Sequence, residues 1–219
     1  MKTAAPATRP PDSLSTRPIP PPELLDFQTR FAPSSELLTW VQDNILDPRG
    51  PIHNPDHLHL TEASIGFLWT NAENTKHQRR IVGQSEVPMY MGNKWQKARQ
   101  ELQVTQWFGS LPDFIITLDA YWAEQAEDAQ FCAVVEHELY HCAQAVDEYG
   151  APKFDRLTGK PKYAIKGHDV EEFVGVVRRY GVTDPEGPLA DMLIAVAKGP
   201  EIAKVNVARA CGTCMLRAA

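Results

Sequence analysis

No apolar run in this 219-residue chain approaches the roughly 18 residues that a membrane-spanning helix requires. The opening Met1-Lys2-Thr3-Ala4-Ala5-Pro6 has no hydrophobic core of the kind a secretory signal carries, so residence in the cytoplasm is the expectation. Cysteine is scarce. Cys132, Cys142, Cys211 and Cys214 are too few for a disulfide scaffold of this length, and they are expected to be reduced. An excess of positive charge is also missing. A net charge of -6 argues against broad, non-specific binding to nucleic acid or to an anionic membrane. No internal repeat is apparent. With 43% hydrophobic and 23% charged residues, the composition is that of an ordinary globular protein.

Proline is concentrated where the chain begins. Pro6, Pro10, Pro11, Pro18, Pro20, Pro21, Pro22 and Pro33 exclude a helix or a sheet interior, so residues 1–34 are expected to form an extended or disordered tail. The domain proper is expected over 35–219. Its apolar periodicity predicts a helix over 35–46, strands over 64–69 and 80–83, a helix over 92–107 and a strand over 114–118. Asp119 is placed to cap a helical stretch running from about Ala120 to Tyr149, either unbroken or split near Asp128. Helices over 169–179 and 188–197 follow. This order makes an α+β domain.

The richest segment is His137-Glu138-Leu139-Tyr140-His141. On a helix this HExxH spacing puts two imidazoles one turn apart, where both can bind a single zinc ion, with a carboxylate beside them. Phe131, Val134, Val135, Cys142, Ala145 and Val146 share one face of such a helix, and Glu138 falls near the middle of it. A carboxylate in an apolar stripe is costly unless something compensates it, and a metal with its water does so. The third ligand is expected to be His168, which follows Gly167 and precedes a helix; Glu171 and Glu172 are the alternatives. Asp169 or Glu171 is suited to orienting a ligand. Three protein ligands leave a position for water, and Glu138 is then the general base. Tyr163 is a candidate donor to the developing oxyanion, with Tyr149 and Arg178 behind it.

Two other clusters have weaker spacing. His53, His57 and His59 lie among prolines and read as structural or surface histidines. Cys211-Gly212-Thr213-Cys214 resembles half of a zinc knuckle or a redox pair and reads as structural or redox-capable.

Taken together, Trp107-Phe108-Gly109, Pro112-Asp113-Phe114, Glu136 to Cys142, Gly167 to Phe173 and Arg179-Tyr180-Gly181 resemble the family of putative phage metallopeptidases. The likeness covers about residues 35 to 181. It implies a zincin-type fold, with a small sheet packed on the HExxH helix, a peptide or protein substrate, and a bacterial or phage-infected cytoplasm. A looser likeness to SprT-like proteases favours His168 as third ligand. Their action on DNA-bound proteins does not carry over, since this chain has no clear nucleic-acid module. Strand 114–118 is expected to be the edge that pairs with an extended substrate. The competing readings are a non-catalytic, zinc-stabilised binding or regulatory protein, and zinc-dependent hydrolysis of another amide or of a nucleotide.

Overall fold

The structure is a computed structural model that describes residues 14–26, 28–76, 79–170, 177, 182, 186–205 and 211. At its centre is a four-stranded sheet in the order β1 (Phe31–Pro33), β2 (Ile65–Thr70), β6 (Phe114–Asp119) and β5 (Gly83–Glu86). β2 and β6 run parallel, and the strands on either side of them run antiparallel. Two short hairpins complete the strands: β3 (Thr75–Lys76) with β4 (Arg79–Arg80), and β7 (Cys142–Gln144) with β8 (Tyr163–Ile165).

Alternation along the two central strands explains the layers. Ile65, Phe67 and Trp69 of β2 join Phe114, Ile116 and Leu118 of β6 in the main core. Leu68 and Ile115 point to the opposite face, where Val104, Trp107 and Phe108 of helix α2 (Lys94–Phe108) cover them. Both faces are therefore buried, which is why these strands read as continuous apolar runs. Gly66 is required by this packing, because a Cβ there would lie 2.7 Å from the Phe108 ring. The main core is closed by α1 (Ser35–Val41), α3 (Ala120–Gln125) and α4 (Asp128–His141).

Three of the helix starts have a local cause. Ser34 accepts from the Leu37 N–H, Asn93 and Gln96 form a reciprocal capping box, and Asp119 accepts from the Trp122 N–H. Asp119 also takes a bidentate contact from Arg80, at 2.7 and 2.9 Å. The helical stretch after Asp119 is split near Asp128. It ends at His141 and not near Tyr149, because Cys142 turns extended and β7 pairs with β8. Ala145 and Val146 thus lie beyond the helix, and Val146 is exposed. The strand expected over 80–83 is divided: Arg80 ends β4, Ile81 and Val82 link the two strands, and Gly83 opens β5, an edge strand made of Gly-Gln-Ser-Glu. The last helix spans Pro188–Lys198. The helix expected over 169–179 falls largely outside the described residues.

The proline-rich segment differs from the expected tail from residue 14 onward; residues 1–13 lie outside the described ones. Its backbone is mostly extended, yet its side chains pack. Leu24 sits in the main core, and Arg17 donates to the Ala123 and Ala126 carbonyls and to Asp128. Ser15 meets Asn44 and the Trp40 indole, and Phe31 to Pro33 form the β1 edge, where a proline is tolerated. Extended backbone of this kind can still bury selected side chains, which proline content alone does not reveal.

His57 is buried under Tyr140, and neither ring nitrogen has a hydrogen-bond partner among the described residues. Burial, aided by neighbouring His59, pushes its pKa down to about 4. An unfolded histidine takes a proton near pH 6.5, whereas this folded one refuses it until about pH 4. Stability is therefore expected to fall as pH drops through that window, by up to about 3 kcal/mol from this group. Urea denaturation against pH should show a shallower fall for His57→Leu than for the wild type. Parallel curves would assign the acid sensitivity to other groups.

Candidate metal centre

α4 carries His137, Glu138 and His141 to the end of the main core. The helix faces β5, with Phe131, Val134, Val135, Leu139 and Cys142 buried and Glu138 fully enclosed beside them. The β7–β8 hairpin then brings the chain back, so that His168 arrives from the loop after β8. The ring centroids of His137, His141 and His168 lie 4.9 to 5.3 Å apart. One ring nitrogen from each can be chosen so that all three lie within 4.8 Å of one another.

Two details test whether these residues fit a metal ion. The Nε2 atoms of His137 and His141 are 3.2 Å apart. Two imidazole nitrogens sharing a tetrahedral zinc would lie about 3.3 Å apart, so the spacing suits a shared cation. The other nitrogen of His141, Nδ1, is 2.7 Å from the Lys166 carbonyl. A carbonyl can only accept, so Nδ1 carries the hydrogen and Nε2 keeps its lone pair for the centre. Burial works against the His141 imidazolium. The neighbouring Cys211 thiol and the Lys166 carbonyl outweigh it and hold the pKa above the ordinary histidine value.

Glu138 is held from two sides. Ser85 Oγ lies 2.9 Å from Glu138 Oε2 and 2.8 Å from the Glu138 carbonyl. Gly83 sits directly against the carboxylate, since a Cβ there would fall 3.0 Å from Oε1 and 3.1 Å from Val134 Cγ1. Neither residue is legible as functional in the sequence, because Gly-Gln-Ser-Glu carries no strand signal. The histidines open onto a cleft of about 350 Å³ lined also by Tyr140, Lys166, Gly167, Asp169, Val170 and Met192. Tyr140 is anchored at its wall, its hydroxyl donating to Asp56 and accepting from Asn54, which also donates to Glu136.

The remaining candidates separate clearly. Asp169 forms an ion pair with Lys166 at 2.6 Å. Tyr163, in β8, does not line the cleft; its ring packs on Phe114 of β6, 5.2 Å away, which gives the oxyanion role no support. Tyr149 is exposed in the loop beyond β7. Glu171, Glu172, Arg178 and Cys214 lie outside the described residues. His53 and His59 contact backbone carbonyls of Ile45 and Cys142, and with the buried His57 they form no metal-sized cluster among the described residues. The sequence marks Cys211 as part of a CxxC pair but not as a neighbour of the histidines; its Sγ lies 3.3 Å from His141 Nε2. Cys132 and Cys142 are buried free thiols on the α4 side.

A family model described as a putative phage metallopeptidase matches residues 38–197, most of the chain. The chain belongs to that family. Membership implies a metal-dependent peptidase acting on peptides or proteins, and the matched range contains all three histidines and Glu138. No curated protein and no solved structure matches the chain. Among the described residues, no helix is long and apolar enough to cross a membrane.

Proposed function

We propose that this chain is a zinc-dependent peptidase of zincin type in which His137, His141 and His168 hold the metal and Glu138 is the general base. The observation that carries this reading is the convergence of three imidazoles beside a fully buried carboxylate. Such a carboxylate has no purpose at a purely structural metal, and Ser85 and Gly83 hold it against α4 at some cost in backbone freedom.

When bound, zinc would lower the pKa of a water and polarise the scissile carbonyl. Glu138 takes the proton as the water attacks that carbonyl and passes it to the departing amine. Ser85 fixes the direction in which the carboxylate faces, and the Lys166 carbonyl fixes His141. The substrate strand is assigned to the β5 edge. β6 is interior, flanked by β2 and β5, so the pairing expected at residues 114–118 is corrected to the neighbouring strand.

Digestion of a mixed peptide library tests the reading. Zinc-loaded protein should cleave it, a chelator should abolish cleavage, and added zinc should restore it. Folded, zinc-loaded protein that cleaves nothing in the library would favour the non-catalytic, metal-stabilised alternative.

A further inference from the structure

Tyr140 stands between the two helix histidines, and its one polar side-chain atom is already committed. The hydroxyl donates to Asp56 Oδ2 at 2.9 Å and accepts from Asn54 Nδ2 at 2.8 Å. The same Asn54 amide donates to Glu136 Oε1 at 2.6 Å, and Asn54 Oδ1 accepts from the Asp56 N–H. A phenol has a single hydrogen, so with Asp56 holding it Tyr140 has none to offer a substrate. The ring is used differently. His57 packs against it, with centroids 4.5 Å apart at 63°, yet Tyr140 stays 41% exposed and lines the cleft of the three histidines. The loop from Asn54 to His57 therefore ties back the polar end of Tyr140 and leaves ring surface in the cleft.

The other lining groups agree with an apolar site. Val170 and Met192 line the cleft as well, while Lys166 and Asp169 pair with each other at 2.6 Å. Met192 lies on the last helix, where Leu193 beside it and Val196 one turn on are also exposed. Apolar surface thus continues outward from the cleft.

We propose that Tyr140 is the specificity-determining residue of this peptidase: its ring, with Val170 and Met192, receives a bulky apolar side chain next to the scissile bond. This inference rests on the peptidase reading above. Tyr140 is less than one helical turn from His137 and directly precedes His141, so a side chain against its ring adjoins the bond held at the histidines. A phenylalanine or leucine side chain buries apolar surface there, whereas a charged one gives up water against the ring. A single methylene in a fitted apolar pocket is worth about 10- to 200-fold in discrimination, so a preference of at least about tenfold for phenylalanine over alanine follows.

The test uses matched peptides that carry phenylalanine, leucine, alanine, lysine or glutamate beside one cleavable bond, given to the zinc-loaded full-length protein. Wild type should show the tenfold preference in kcat/KM, and binding of the same peptides to Glu138→Gln protein, read by calorimetry, should follow the same order. Tyr140→Ala should bring the ratio of phenylalanine to alanine close to one while zinc is retained. Tyr140→Phe, which keeps the ring and loses both hydroxyl bonds, should keep the ratio within a few fold. A residue that merely docked the 54–57 loop onto α4 would give the opposite pattern, with both variants less stable and the ratio unchanged. Met192→Lys, at an exposed position, serves as a second variant should Tyr140→Ala fold poorly, and it should lower the same ratio. Cleavage without an apolar preference, or a preference that survives in the folded variants, would overturn the inference and leave the peptidase standing. Neither cleavage nor binding of any peptide by folded, zinc-loaded protein would overturn the peptidase reading, and this inference with it.

Discussion

Replacing Glu138 by glutamine is expected to leave the metal in place and to lower peptide hydrolysis by about 100- to 10,000-fold, the usual contribution of a positioned general base. Glutamine has the shape of glutamate, and its carbonyl oxygen can still accept from Ser85. What it cannot do is take a proton from water. The loss should therefore fall on kcat, with KM little changed, because substrate contacts along β5 are untouched. The enclosure of Glu138 makes this prediction strict. With the side chain fully buried and Gly83 against it, no solvent-exposed carboxylate can swing in to replace it. A Glu138→Gln protein that retains both metal and full activity would remove the general-base assignment.

The largest effect on stability is expected at Phe131, two turns before the metal motif on α4. Its ring is fully buried among Trp40, Trp69 and Trp122, with centroids 5.8 to 6.3 Å away, and the Arg17 guanidinium lies 4.9 Å from its centre. Phe131→Ala removes the group that three tryptophans and an arginine surround, and large rings do not collapse into such a gap. A loss of about 3–5 kcal/mol follows, read as a lower urea midpoint at unchanged slope. A loss below about 1 kcal/mol would mean that the aromatic cluster does not anchor α4. Since α4 carries His137, Glu138 and His141, weakened metal retention should accompany the loss of stability.

Much of this architecture could be read from residue pattern, and the failures have physical causes. The HExxH helix, the cap at Asp119 and the strand at Phe114 are set by local chemistry, so their placement follows from neighbours in sequence. The end of α4 does not. It is decided by the β7–β8 pairing and by the Lys166 N–H donating to the His141 carbonyl, contacts that join residues far apart in the chain. A continuous apolar run such as Phe114 to Leu118 marks a strand covered on both faces, and such a strand lies inside a sheet. The edge role belongs instead to Gly83–Glu86, whose polar residues hide it. Ser85 and Cys211 reach the site only through the fold, because nothing in their spacing points to His141 or Glu138.

The metal itself is the most direct test of the account. Zinc retained against a competing chelator should be measured on the wild type and on His168→Ala, with folding checked by circular dichroism. A three-histidine centre predicts that the wild type keeps a single equivalent of zinc while folded His168→Ala gives it up at far lower chelator concentration. Equal retention by the two proteins would contradict the assignment of His168, and no zinc in either would contradict the centre.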